Sequence, residues 1–398
     1  MRRQFVQLFV ARTCASLFQV LAILYLARLV GPSELGPVVA FVGVGAFLAA
    51  VSDLGIGTYL LKERAATPHS PLIRPALKTN DVLTLALIVG GVASALVLGL
   101  GTAEAILLGV WIGLEKNTDT HLSIPTADGA VGVVSAINFV RRLVGLVLFV
   151  LLALAVAPVL AFCIAQLVGA VYGVSHAHLV LRRSTHSVSG VSRPSRQALR
   201  GSFPFWVAVT SAQVRELDSA IVGAVAGPAA AGLYGAGARL SRPALLVASA
   251  LATVLLPSAT KGGAAVARKA ARGLYLLTLL GGVMGIIAAL LAEPLLPLLL
   301  GDDFSGAIPA TQVLLISMSV VALCSPLGGL IQARGGERYT AANGVIFAVV
   351  TVVGLTIGSS VAGPLGAAVG VSVSYAMKFA SLAIKLHSLN RREAGEKG

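Results

Sequence analysis

The amino-acid sequence predicts an all-α integral membrane protein of about twelve transmembrane helices, arranged as two six-helix lobes related by a pseudo-two-fold axis along the membrane normal. Three observations predict it. Hydrophobic residues make up 57% of the chain and charged residues 12%, with a mean hydropathy of +0.90, whereas soluble domains carry about 25% charged residues. The apolar residues gather into spans that can cross a hydrocarbon core of ~30 Å, which takes roughly 20 residues at ~1.5 Å rise. Short motifs recur on either side of a polar central segment, dividing the spans into equal halves.

Taken in order, the predicted spans are Phe5–Leu29, Gly36–Leu61, Asn80–Gly99, Ala103–Ile124, Gly132–Ala157 and Val159–Leu181, then Phe203–Ala226, Ala230–Pro257, Gly273–Ala292, Ile308–Gln332, Thr340–Ser360 and Leu365–Leu386. The first follows Met1-Arg2-Arg3 with no small-residue cleavage site, so it reads as a permanent helix and not a secretory leader. Loops alternate in charge. One set is basic, with Lys62, Arg64, Arg74 and Lys78, then Lys116, the Arg182 to Arg200 segment, the Lys261 to Arg272 segment, and Arg334 with Arg338. The other holds Glu34, Glu104, Glu293, Asp302 and Asp303. By the positive-inside rule the basic loops and both termini are cytoplasmic, in a multi-pass protein of the inner or plasma membrane. The net charge of +14 therefore reports topology and not a nucleic-acid partner.

The expected domains are residues 1–183 as an N-terminal six-helix lobe, 184–201 as a basic cytoplasmic linker, 202–388 as a C-terminal six-helix lobe and 389–398 as a cytoplasmic tail. The repeat supports this division. Gly31-Pro32 with Gly36 is echoed by Gly227-Pro228 with Gly232, and Val156-Ala157-Pro158 by Ala362-Gly363-Pro364. Six spans return the chain to its starting side, so the halves are parallel repeats. Cys14, Cys163 and Cys324 all lie in apolar spans, an odd set that reads as packing residues.

Specific residues then suggest a family. Between Ser202 and Pro257 the chain carries Phe203-Pro204, Asp218, Gly227, Gly232-Leu233-Tyr234, Ala236, Ala238-Arg239-Leu240 and Leu256-Pro257. Elsewhere come Asp53-Leu54-Gly55 with Arg64, Leu299-Leu300-Gly301 with Phe304 and Ala307, Gln332-Ala333-Arg334-Gly335, and Pro364-Leu365-Gly366-Ala367-Ala368. In combination these resemble the polysaccharide-biosynthesis flippases, the Wzx-type members of the multidrug/oligosaccharidyl-lipid/polysaccharide (MOP) exporter superfamily. The Glu115 to Asp128 region departs from that pattern in being more charged. The resemblance implies a non-enzymatic transporter. Its substrate would be a lipid-linked oligosaccharide or polyprenyl-phosphate glycan moved to the outer leaflet, with membrane lipids and the polymerase and glycosyltransferases of the pathway as partners.

Charges inside membrane spans are costly and face an interior or a cavity. Here the candidate substrate contacts are Arg12, Gln19, Arg142, Ser211, Arg215, Asp218, Arg239 and Arg242, with Asp53, Glu115 and Asp119 as coupling or gating candidates. Arg12 and Gln19 are seven apart, and Ser211, Arg215 and Asp218 follow i, i+4, i+7, so each set shares a helix face. Arginine's planar fork suits a lipid phosphate, and Ser, Thr and Gln suit sugar hydroxyls. The plainer readings are that Arg215 and Asp218 neutralise one another at i, i+3, that adjacent Arg141 and Arg142 cannot both face the lumen, so that one snorkels to the interface, and that Lys378 snorkels too. No catalytic constellation, metal-ligand spacing or cofactor motif stands out, and none is expected. Two other classes compete. A cation-coupled multidrug exporter of the same superfamily would want carboxylates in the cavity, and an integral-membrane glycosyltransferase would use Asp302-Asp303 to bind a metal.

Overall fold

In the computed structural model the described residues are 2–185, 196–241, 263–332 and 334–395, with side chains in the first helix from Thr13 onward. Among them every regular element is helical. Seven segments are long and apolar enough to cross a membrane, the longest being Arg338–Leu389. The chain is a multi-pass membrane protein.

The helices are α1 (Arg2–Leu29), α2 (Pro32–Asp53), α3 (Ile56–Ala66), α4 (Ile73–Val97), α5 (Thr102–His121), α6 (Ser123–Ala127), α7 (Val131–Leu152) and α8 (Pro158–Thr185). They continue as α9 (Arg196–Gln213), α10 (Asp218–Ala226), α11 (Pro228–Ser241), α12 (Gly263–Leu300), α13 (Ile308–Gln332) and α14 (Glu337–Gly395). Contacts divide the chain into two compact units, one of Met1–Val30 with Pro37–Ala220 and one of Gly31–Gly36 with Ile221–Gly398.

Two expected spans are broken, each for a local reason. The second ends at Asp53 because Leu54 (φ 47°) and Gly55 (φ 74°) adopt left-handed backbone, a conformation costly for leucine and natural for glycine. Asp53 Oδ2 then accepts a bond from Gly57 N at 3.3 Å and opens α3. Gly55 also lets α9 approach, since a Cβ there would meet the backbone of Ser202 and Trp206. The seventh span is interrupted by a 3-10 turn at Val214–Leu217 between α9 and α10. A 3-10 turn advances about 120° per residue, against about 100° in an α-helix, so the i, i+4, i+7 face read through Ser211, Arg215 and Asp218 is not kept.

In the first unit, α5 packs against α4 and α8, α7 against α1 and α8, and α9 against α3. Small residues set these approaches: Gly109 leaves no room for a Cβ against Val92 N, and Gly169 none against the Arg141 carbonyl. Membrane helices associate through such close backbone contact. Trp206 Nε1 donates to Val51 O at 3.0 Å and fastens α9 to α2.

In the second unit Tyr234 of α11 is buried with Leu314 of α13 and Val371 of α14. Here the two copies of the Gly-Pro repeat meet. A Cβ on Gly36 would strike the Pro228 carbonyl, and one on Gly232 the Pro32 carbonyl. Helix α14 is bent at Ala362 (φ −140°) and Gly363 (φ 54°), just before Pro364, so it forms two arms that correspond to the last two expected spans. The arms are sealed by four glycines, with Gly358 against the Gly366 backbone and Gly354 against that of Gly370, each contact reciprocal.

Candidate functional site

The polar heart of the first unit is the last two turns of α5, where Glu115 to His121 are mostly buried. Residues four apart share a helix face, and three such pairs project from α5 in three directions. Glu115 and Asp119 meet α7: Arg141 Nη2 lies 2.7 Å from Asp119 Oδ1, Arg141 Nη1 3.3 Å from Glu115 Oε2, and Arg142 Nη2 2.8 Å from the same Oε2. Lys116 and Thr120 turn toward α4 and α2. Lys116 Nζ donates to Asn80 Oδ1 at 2.5 Å, and Thr120 Oγ1 donates to Asp53 Oδ1 at 3.1 Å. Asn117 and His121 reach Asp81, at 3.1 and 3.3 Å, and the His121 ring meets that of His178 edge to face at 4.4 Å between centroids.

Beside this network lies a cavity of about 430 Å³, within the ~300–1,000 Å³ range of small-molecule sites. Its apolar wall is formed by small residues of α2, among them Ala46, Ala49 and Ala50, with Val209 of α9. Three carboxylates line it (Asp53, Glu115 and Asp119), as do two cations (Lys116 and Arg142). Uncharged partners come from Gln19 on α1, Gln213 at the end of α9, Thr58 and Ser123. Trp111 lines it too and is 2% exposed.

Residues 131–309 match the family model described as polysaccharide biosynthesis protein. No curated protein matches the chain. Among solved structures it is similar to the lipid II flippase MurJ in an inward closed conformation (TM-score 0.78, 12% identity, 96% of this chain and 87% of that one). An inward-facing multidrug resistance MATE family transporter of the MOP superfamily gives 0.73 and 14%, with 95% and 96% covered. A MOP superfamily transporter from Pyrococcus furiosus, described by a reverse polarity of its binding pocket, gives 0.65 and 14%, with 99% and 96% covered. The fold is that of the MOP superfamily. The resemblance read from the sequence, to polysaccharide biosynthesis proteins of that superfamily, is borne out.

Within this MOP fold the sequence-predicted residues are distributed unevenly. Gln19, Asp53, Glu115, Asp119 and Arg142 line the first-unit cavity together. Arg215 sits in the 3-10 turn with Nη2 at 3.9 Å from Glu216 Oε1, and Ser211 is half-buried on α9. Asp218 Oδ1 accepts from Ser219 N at 2.6 Å and from Ser219 Oγ at 3.1 Å, at the start of α10. Arg239 is buried in the last turn of α11, in the second unit. The Arg12 side chain and Arg242 lie outside the described residues. Arg141 does not snorkel: neighbouring guanidiniums converge on one carboxylate, and only Arg142 reaches the cavity.

Sequence reasoning missed Lys116, which reads as a loop cation but is 6% exposed on α5, and Asn80, Asp81, Asn117 and Trp111. For Lys116 and Asn117 the signal was the i, i+4 recurrence of polar residues from Glu115 to His121, hidden by the departure of that stretch from the family pattern.

Arg64 of α3 grips Asp128, the residue that follows α6, with two bonds, Nε–Oδ1 at 2.6 Å and Nη2–Oδ2 at 3.0 Å, and donates to Pro68 O. Such a fork is specific to arginine. Arg64→Lys should lower stability by about 1 kcal/mol and Asp128→Ala by about 2 kcal/mol, discounted from the ~3–5 kcal/mol of a fully buried pair because the Asp128 side chain is 28% exposed. Thermal unfolding of the detergent-solubilised protein measures both, and an Arg64→Lys variant as stable as the parent would show that the fork is dispensable.

Proposed function

We propose that the protein is a twelve-helix, two-lobed flippase. It moves a lipid-linked oligosaccharide, or a similar polyprenyl-phosphate glycan, from the cytoplasmic to the outer leaflet by alternating access, with both termini cytoplasmic. The observation that carries this reading is a polar, charge-paired cavity inside an apolar helical unit, in a chain matched to polysaccharide biosynthesis proteins. A membrane helix retains ionisable groups at this density where a polar passenger must be accommodated. Gln19 and Arg142 contact the passenger in this reading, with Arg12, Ser211, Arg215, Asp218, Arg239 and Arg242 as further contacts. Asp53, Glu115 and Asp119 gate it or couple it to an ion. The polymerase and glycosyltransferases of the pathway are its functional partners.

One observation favours a second reading, a cation-coupled multidrug exporter. The cavity lining holds more carboxylates than cations, opposite to the positive excess summed over the intramembrane charges of the whole sequence. Glu115 and Asp119 are nevertheless committed to Arg141 and Arg142, which leaves Asp53 as the carboxylate best placed for an organic cation.

Leaflet transfer of a fluorescent polyprenyl-diphosphate oligosaccharide in liposomes separates the two. The flippase reading expects protein-dependent transfer, lowered about tenfold or more by Arg215→Ala, since one charge-assisted bond is worth about 1.5–3 kcal/mol. Absent transfer together with proton- or sodium-driven efflux of a cationic dye would overturn it in favour of the exporter.

A further inference from the structure

The first-unit cavity has a chemistry more definite than polar. Its lining mixes donors and acceptors: the amides of Gln19 and Gln213 are both at once, the hydroxyls of Thr58 and Ser123 likewise, and carboxylates and cations accompany them. A phosphate is an acceptor only and carries negative charge. Here it would face Asp53, and it would find no uncompensated cation, since Arg141 and Arg142 are balanced by Glu115 and Asp119 and Lys116 donates to Asn80. A sugar hydroxyl donates and accepts in the same place, so a neutral polyol satisfies both kinds of partner.

The cavity is apolar on the α2 side, where Ala46, Ala49 and Ala50 leave room for the C–H face of a ring.

We infer that this cavity is a binding site for an uncharged sugar ring of the passenger, and that the passenger's phosphate is held elsewhere. The inference rests on the flippase reading for the identity of the passenger, though not for the chemistry of the site.

The chain has two tryptophans, Trp111 and Trp206, so Trp206→Phe leaves Trp111 as the sole indole reporter. The experiment titrates that variant, purified in nanodiscs, with a panel of neutral monosaccharides and disaccharides, inorganic pyrophosphate and rhodamine 6G, following Trp111 fluorescence. Saturable change with at least one saccharide is expected, weakened about tenfold by Gln19→Ala and again by Ser123→Ala, with none from pyrophosphate. A response to pyrophosphate alone, to rhodamine 6G alone, or to no member of the panel overturns the inference. Should Trp206→Phe prove unstable, the same panel is titrated calorimetrically on the parent protein and on Gln19→Ala, with the same outcomes decisive. Saccharide binding without leaflet transfer would sink the flippase reading and leave the sugar site standing; transfer with pyrophosphate as the cavity's ligand would do the reverse.

Discussion

Replacing Glu115 with Ala is expected to destabilise the protein by about 3–5 kcal/mol, the range for removing one member of a buried ion pair. The reason is geometric. Glu115 Oε2 sits 3.3 Å from Arg141 and 2.8 Å from Arg142, so it is the shared counter-ion of two adjacent guanidiniums on α7. Asp119 is bonded to Arg141 and is mostly exposed on its side chain, so it cannot compensate both. Without Glu115 two positive charges face one another in a site that excludes most water, and the alternative is for α7 to turn away from α5. The double variant Glu115→Ala with Arg142→Gln should recover more than half of the loss, because it removes one charge of each sign and leaves Arg141 with Asp119. Thermal unfolding of the four proteins of that cycle in detergent gives the coupling directly. Additive losses would show that Glu115 and Arg142 do not act as a pair.

Gly366→Ala should cost about 3 kcal/mol, at the upper end of the usual overpacking range of about 1–3 kcal/mol. The added methyl would meet the carbonyl of Gly358 on the other arm of α14, and a backbone oxygen cannot rotate aside as a side chain can. The arms would have to separate, losing the contacts at Gly354 and Gly370 as well. Gly344→Ala is the control. Its Cβ would meet nothing within 4 Å, and alanine favours helix over glycine by about 1 kcal/mol. A Gly366→Ala protein that melts with the Gly344→Ala protein would show that the seam is looser than its backbone contacts indicate.

What was legible in the sequence follows from what a membrane does to a chain. Helical class and most span positions could be read because the bilayer demands long apolar runs with internally satisfied backbones, a constraint carried by composition and length alone. The resemblance could be read because its motifs sit where the backbone allows few residues, as at Asp53-Leu54-Gly55 with its left-handed pair and at Pro364-Leu365-Gly366, which follows the sharp bend at Gly363. The broken second and seventh spans escaped notice, since a 3-10 turn or one left-handed leucine leaves the hydropathy of a span unchanged.

Pairing was a different matter. The sequence supplied Arg141, Arg142, Glu115 and Asp119 as an inventory of charges, and it marked the Gly31-Pro32 and Gly227-Pro228 turns as copies of one motif. That both guanidiniums converge on one carboxylate depends on how α5 and α7 are rotated about their own axes, and no local pattern encodes the rotation of one helix against another. That Gly36 lies on Pro228 while Gly232 lies on Pro32 likewise depends on bringing together turns nearly 200 residues apart in the chain. By itself the sequence determined an all-helical membrane chain with a two-fold motif repeat, because periodicity and length are local properties. Only the tertiary structure decided that Lys116, a loop cation by position, is a buried wall of a polar cavity, because burial is settled by the helices that close around a residue.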